Sequence, residues 1–349
     1  MIIPIANIYY LLCYAWKHAD EAEVVDVAEL EGLEHVHDLL AKVLAEGTFQ
    51  LLKRGLDRDY IEVREDLFGV RGKLEVGEMA KRALRARGRT SCVFEQLSHD
   101  VPHNRILKST LGVLLQLPTL DRGIRKQVRT AFHKLEGVSV IRIDRKTFRQ
   151  VQLDRSRRLY RFLMSICILV HEQLIVHNTT GTAQFRDFRE DDHKMWSLFE
   201  DFVKEFYVSE QDYYSVNKCG RQIAWFNADG VTNDDRDKIP RMEADVILDA
   251  PDRRIILDAK FYADALSGRA GGKKLNSPNL YQLLAYLRNR EQTAEPGPKH
   301  DGILLYPVVK ESIAIDVTLE GFRVQARGID LTQTWRTIHQ DMLTLVKNP

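Results

Sequence analysis

Between Arg241 and Tyr262 the chain reads RMEADVILDAPDRRIILDAKFY, and this stretch leaves little freedom to any fold that contains it. The runs Val246-Ile247-Leu248 and Ile255-Ile256-Leu257 are apolar and largely β-branched, and Ala250-Pro251-Asp252-Arg253 between them supplies turn residues. The segment therefore predicts two antiparallel strands, 243–249 and 254–260, joined as a hairpin. Asp245 falls on one strand; Asp258 and Lys260, two residues apart, point to one face of the other. Carboxylates beside such apolar runs are expensive, because an uncompensated charge leaving water costs several kcal/mol. A divalent metal resolves that cost, and hard oxygen ligands select Mg²⁺, with Mn²⁺ able to substitute, rather than zinc. A water acidified by such an ion and oriented by Lys260 is the expected nucleophile for in-line attack on phosphorus, with the ammonium stabilising charge on the phosphate. The chemistry this implies is phosphodiester hydrolysis.

The surrounding pattern fits an α/β domain. Met195, Leu198, Phe199, Phe202, Val203 and Phe206 form one stripe of a core-facing helix over 193–208. A second helix is predicted over 279–290, NLYQLLAYLRNR, where Gln282 and Tyr286 stand at i and i+4 on one face. GILLYPVV, 302–309, reads as a buried strand. The order helix, strand, hairpin, helix, strand, helix predicts a mixed central sheet flanked by helices over 190–349. A D-x-K triplet alone is a weak signal; its conjunction with Asp245, the turn and the Gln282/Tyr286 helix is a stronger one.

The first half has a different texture. Helical periodicity covers 5–16, 33–54, 104–135 and 157–177; DYIEVREDLFGVRGKL, 59–74, alternates around Gly72 as a short hairpin, and 138–148 reads as a strand pair. These elements predict an N-terminal mixed α+β domain, 1–180, with the boundary in the loop 178–192. Charge is uneven too. Residues 71–160 hold 21 Lys/Arg against 8 Asp/Glu, although the chain of 349 residues has a net charge of only +1. Bulk coating of nucleic acid is excluded, and any phosphate-binding surface must be local. Within the basic segment, Lys81, Arg82, Arg85, Arg87 and Arg89, with Arg71 flanking, form either a solvated face or a surface for phosphate or an acidic partner.

Cys13, Cys92, Cys167 and Cys219 lie far apart without a C-x-x-C pair or zinc-ligand spacing, which reads as reduced thiols in a cytoplasmic protein. No basic stretch precedes the apolar segment 2–16 and no cleavage site follows it, so no membrane association is expected.

The opening IPIANIYYLLCYAW, NRILKSTL at 104–111, RMEADV, LDAKFY, NLYQLLAYL and LLYP together resemble the McrC family. Its members are nuclease subunits of McrBC modification-dependent (type IV) restriction systems, in the PD-(D/E)xK superfamily and its branch with a Q-x-x-x-Y helix. The resemblance implies that Asp245, Asp258 and Lys260 are the catalytic trio, supported by Gln282 and Tyr286, with Mg²⁺ held by Asp245, Asp258 and the Ala259 main-chain carbonyl. Glu200, with Glu205 second, is the candidate for the acidic residue on the preceding helix; Glu243 shares the face of Asp245 and reads as a rim salt bridge to Arg241 before a metal neighbour. It also implies a partner, an McrB-like AAA+ GTPase hexamer that reads 5-methylcytosine in double-stranded DNA, on which the N-terminal half docks to stimulate GTP hydrolysis. Two departures stand out. Ala244 replaces the nominal Pro before the first Asp. SGRAGGKK, 267–274, is only loosely a P-loop, with Ser267 for the first Gly and Lys274 for Ser or Thr, so no nucleotide is expected on this chain itself. That segment reads instead as a loop bringing Arg269, Lys273 and Lys274 to DNA phosphates. Two rival functions are a non-catalytic DNA-binding regulator of the ring, against which the intact trio argues, and a stand-alone RecB-type repair nuclease, whose cluster the scattered cysteines cannot supply.

Overall fold

The computed structural model describes residues 3–176, 183–216, 222–225, 238–261, 266–267, 274–294, 296–308 and 313–347. The chain divides into two compact units: Met1–Ala22, Val27–Gly32 and Asp187–Pro349 form one, Glu23–Asp26 and Leu33–Arg186 the other. The chain returns from the second unit to the first at Asp187. The opening segment differs from expectation, since it folds with the C-terminal unit. The reason is packing: helix α1 (Ile5–Ala15) buries Ile8, Tyr9, Leu11 and Leu12 and meets a helix of the C-terminal unit. Burial of four such side chains outweighs proximity in sequence.

The middle unit begins with α2 (Val36–Arg54), whose Leu39, Leu40, Val43 and Leu44 are fully buried. Then come β1 (Asp59–Leu67), β2 (Lys73–Leu74), α3 (Val76–Lys81), β3 (Thr90–Ser98), α4 (Pro102–Leu114), α5 (Arg122–Lys134), α6 (Arg145–Arg149), α7 (Arg158–Gln173), β4 (Leu174–Val176) and β5 (Ala183–Phe185). Helices α2, α4, α5 and α7 pack on one another, as their periodicity predicts. The expected 59–74 hairpin does not form. β1 pairs along its length with β3, from Asp59↔Ser98 to Leu67↔Thr90, and β2 lies on the other side of β3. Gly72, at φ +68°, sits so tightly on the Val93 carbonyl and Phe94 that a Cβ has no room, and this contact seats β2 beside β3. The expected strand pair at 138–148 is absent as well. Ser139 N–H donates to Asp100 Oδ1 (2.7 Å) and Ile141 N–H to Ser109 Oγ (2.8 Å), so side chains take the donors a ladder would use. Asp144 then caps α6 reciprocally with Thr147.

The C-terminal unit continues with α8 (Asp192–Ser209), β6 (Ser215–Val216), β7 (Gln222–Ile223), β8 (Met242–Glu243), β9 (Val246–Asp249), β10 (Arg254–Ala259), β11 (Leu266–Ser267), β12 (Lys274–Leu275), α9 (Ser277–Thr293), β13 (His300–Val308), β14 (Ala314–Leu319), β15 (Phe322–Asp330) and α10 (Trp335–Val346). A six-stranded mixed sheet has the order β14-β15-β13-β10-β9-β6. β10, β13 and β15 run parallel; β9 is antiparallel to β10 and β14 to β15. β10 is therefore interior and buried along its length, which is why its sequence is continuously apolar until Asp258. Ile256, Leu304, Val324 and Ala326 share one core with Leu283, Tyr286 and Leu287 of α9. Gly302 lets α9 approach β13, because a Cβ there stands 2.8 Å from Leu287 Cδ1 and 2.9 Å from Leu283 Cδ2. α8 and α10 contact β10 and β15. Among the described residues no helix is long and apolar enough to cross a membrane.

Candidate active site at the end of the β9–β10 hairpin

The hairpin register is Arg254↔Asp249 through Leu257↔Val246. One step further sets Asp258 opposite Asp245, and directly opposite residues of an antiparallel pair share a face. Asp245 Oδ2 accepts the Ala259 N–H at 2.6 Å, closing the ladder with a side chain in place of a carbonyl. Lys260 continues from β10, its N–H donating to the Leu305 carbonyl at 2.8 Å. Its ammonium lies 2.6 Å from Asp258 Oδ2, and both side chains are almost wholly buried. The three residues that the sequence singles out thus come together at one sheet end.

α9 meets this end from the α9-packed face. Gln282 Nε2 donates to the Tyr286 hydroxyl at 2.7 Å, and that hydroxyl donates to the Glu243 carbonyl at 2.9 Å. The i,i+4 pair on the helix therefore clamps β8, the strand leading into Asp245. Burial, with the Asp258 charge behind it, pushes the Tyr286 phenol up to about 12, so it stays a donor at every working pH.

The electrostatics are unfavourable to ionised carboxylates. Burial raises Asp245 to about 8, and the charges of Asp258 and then Glu200 push the same way, against the Ala259 N–H and Lys260. Asp258 is also raised by burial, with Lys260 opposing. Glu200, on α8, belongs to this field, whereas Glu205 is buried nearby in sequence but 3.4 Å from Lys17 Nζ and 3.7 Å from Lys204 Nζ, a separate ion-pair group. The Glu243 side chain is exposed, and its carbonyl enters the network.

Among the described residues no three His, Cys, Asp or Glu side chains are grouped as a metal cage. Two carboxylates are present instead, with a single ammonium, that of Lys260, against Asp258. That donor set fits an octahedral cation that keeps most of its waters, as Mg²⁺ does, and not an ion that wants a full protein cage.

Residues 7–307 match the family model described as McrBC 5-methylcytosine restriction system component. The chain belongs to this McrBC family. It is 31% identical over 344 residues, 99% of its own length and 97% of the relative's, to the Escherichia coli (strain K12) type IV methyl-directed restriction enzyme EcoKMcrBC. It also superposes with a TM-score of 0.63 and 17% identity on a chain of the half-complex from the tetradecameric assembly of Thermococcus gammatolerans McrB AAA+ hexamers with bound McrC, covering 99% of this chain and 76% of that one. The latter likeness bears on the fold.

In this McrBC family member the basic residues at 81–89 do not form a free arm. Lys81 pairs with Glu78 at 3.2 Å, Arg82 grips Asp66 with both terminal nitrogens, and Arg89 lies over the Phe68 ring at 4.7 Å. Arg85 and Arg87 are exposed on a short turn pinned by the buried Leu84. Lys274 is exposed in β12, while Arg269 and Lys273, with most of the P-loop-like stretch, lie outside the described residues. Cys13, Cys92 and Cys167 are free and buried; Cys219 lies outside the described residues. Sequence reasoning missed one surface. Tyr60, Phe68, Val70, Val76 and Leu97 are exposed on or beside the β1-β3-β2 sheet, with Tyr60 opposite Leu97. Their alternation was legible; that the apolar side faces solvent was not.

Proposed function

We propose that this McrBC family member is the DNA-cleaving subunit of its restriction system, a Mg²⁺-dependent endonuclease of PD-(D/E)xK type. The observation that supports this best is the convergence of Asp245, Asp258 and Lys260 at the end of one hairpin, with two carboxylates held under mutual repulsion and one counter-charge. Bound Mg²⁺, or Mn²⁺ in its place, supplies Lewis acidity and lowers the pKa of coordinated water. Asp245, Asp258 and the Ala259 carbonyl would hold it. Lys260, fixed by Asp258, offers its ammonium to charge developing on the scissile phosphate. Gln282 and Tyr286 keep the strand before Asp245 in register, and Glu200 adds to the negative field that draws in the cation. In-line attack leaves a 5′-phosphate and a 3′-hydroxyl.

The middle unit docks on an McrB-like AAA+ GTPase hexamer and stimulates its GTP hydrolysis. The exposed apolar side chains on and beside the β1-β3-β2 sheet, Phe68 with Arg89 over its ring among them, support that role, since solvent-facing apolar groups of this kind mark interaction sites. Reading of 5-methylcytosine in double-stranded DNA belongs to that partner. The Asp258→Ala protein, mixed with the partner and methylated plasmid, should lose cleavage by at least about 100-fold while GTPase stimulation persists. Retained cutting removes the assignment.

A further inference from the structure

The C-terminal unit holds a cavity of about 540 Å³ that the reaction above does not use. Arg253 just before β10, Arg323, Gln325 and Arg327 of β15, Asp341 within α10 and Lys347 just past its end line it. Positions 323, 325 and 327 alternate with Val324 and Ala326, which belong to the core under α9. The cavity therefore lies on the sheet face opposite the Gln282–Tyr286 clamp.

Its charge runs against its surroundings. Residues 187–349 contain 22 Lys/Arg and 27 Asp/Glu, yet the cavity brings four cations together with one carboxylate, Asp341. The three arginines are held rather than loose. Arg253, 7% exposed, donates Nε to Asp301 Oδ2 at 3.0 Å and a terminal N–H to the Val346 and Lys347 carbonyls at 3.1 and 2.8 Å. Asp316 of β14 aligns the other two arginines: Arg323 donates Nε and a terminal N–H to it at 3.1 and 2.8 Å, and Arg327 a terminal N–H at 3.4 Å. A guanidinium has five donors, so among the described residues most of those on Arg323 and Arg327 are left for a ligand. With Asp316, Asp301 and Asp341 all counted, the four cations keep an excess of one positive charge. That balance suits a singly charged oxyanion, and forked guanidiniums match its paired oxygens.

We propose that this cavity binds a single phosphodiester group, from the DNA backbone or from a small phosphodiester. The site gives an acidic unit a fixed foothold on the polyanion it has to meet, away from the carboxylates.

The test reads binding by the full-length protein in metal-free buffer, so its outcome is independent of the cleavage assignment. The probes are a short unmethylated duplex and the dinucleotide dTpdT. Arg327→Gln and Lys347→Gln, made separately because neither side chain anchors the core, should each weaken the bound probe about tenfold and lower the salt slope of log affinity by about one. Arg327→Lys, which keeps the charge but not the fork, should restore the salt slope and only part of the affinity. Loss on the duplex with no dinucleotide binding assigns the group to a DNA strand; loss on the dinucleotide assigns it to a small phosphodiester. Unchanged affinity and salt slope for both probes in two folded variants overturns the proposal.

Discussion

Asp245 is a residue whose surroundings oppose its charge, and that opposition is measurable without any cleavage. Its carboxylate is half-buried in the field of Asp258 and Glu200, and its Oδ2 accepts the Ala259 N–H. Asn keeps an oxygen for that N–H and removes the repulsion. Asp245→Asn should therefore raise metal-free stability by about 1–2 kcal/mol while abolishing cleavage, the usual exchange between stability and a strained site. Thermal unfolding checks it, and added Mg²⁺ should raise the Tm of the parent protein but not of the variant. Asp100 illustrates the opposite case. Arg105 grips it at 2.8 and 2.9 Å and Ser139 adds two more donors, which holds it down at about 2. A carboxyl depressed in the folded state stabilises above its ordinary value of about 3.9 and loses that contribution as pH falls towards 2. Asp100→Asn should cost about 1–3 kcal/mol at neutral pH and almost nothing near pH 2, as denaturant titrations across that range will show. At this scale the sequence was informative where spacing alone decides. Asp258 and Lys260 must share a face, and Gln282 and Tyr286 must be neighbours. It could not show that the Tyr286 hydroxyl reaches across to the Glu243 carbonyl, because that partner lies 43 residues away.

Elements were legible where a period and its partner are both local. The 254–259 strand, the α8 stripe and the α9 face follow from apolar runs and helical spacing. β3 was not legible: TSCVFEQLS turns polar after Phe94, and its role as the middle strand depends on pairing with β1 and β2 at once. The β14–β15 hairpin was hidden by its turn, in which Glu320 at φ +53° stands where Asn is the usual signal before Gly321 at φ +79°. Gly302 connects an element to the site. A side chain there must displace Leu283 and Leu287, which are fully buried and carry α9. Gly302→Val should cost about 1–3 kcal/mol and, by tilting the helix that bears Gln282 and Tyr286, reduce cleavage more than partner binding. A cleavage assay beside a pull-down separates the two; equal losses in both would mean that the unit merely unfolds.

For the whole molecule, the middle unit is spliced into the other. α1 is held to the C-terminal unit by specific contacts: Asn7 Nδ2 donates to the Leu331 and Gln333 carbonyls at 2.8 Å each, Tyr10 stacks on Trp335 at 4.3 Å, and the Tyr14 hydroxyl donates to Glu210 at 2.6 Å. A fragment starting at Asp187 should therefore be unfolded by circular dichroism and protease sensitivity, whereas residues 1–32 joined by a flexible linker to 187–349 should fold, and so should 33–186 alone. A cooperative 187–349 fragment would show that α1 is dispensable. This feature was invisible in sequence, since an apolar amphipathic helix at the start of a chain does not declare what it packs against. The function proposed for the assembled protein rests in the end on one ion between two carboxylates. Crystals soaked in Mn²⁺ and measured at the manganese edge should show an anomalous peak bonded to both Asp245 and Asp258, lost in Asp258→Asn; a map with no peak there, or with the ion bound elsewhere, contradicts the assignment.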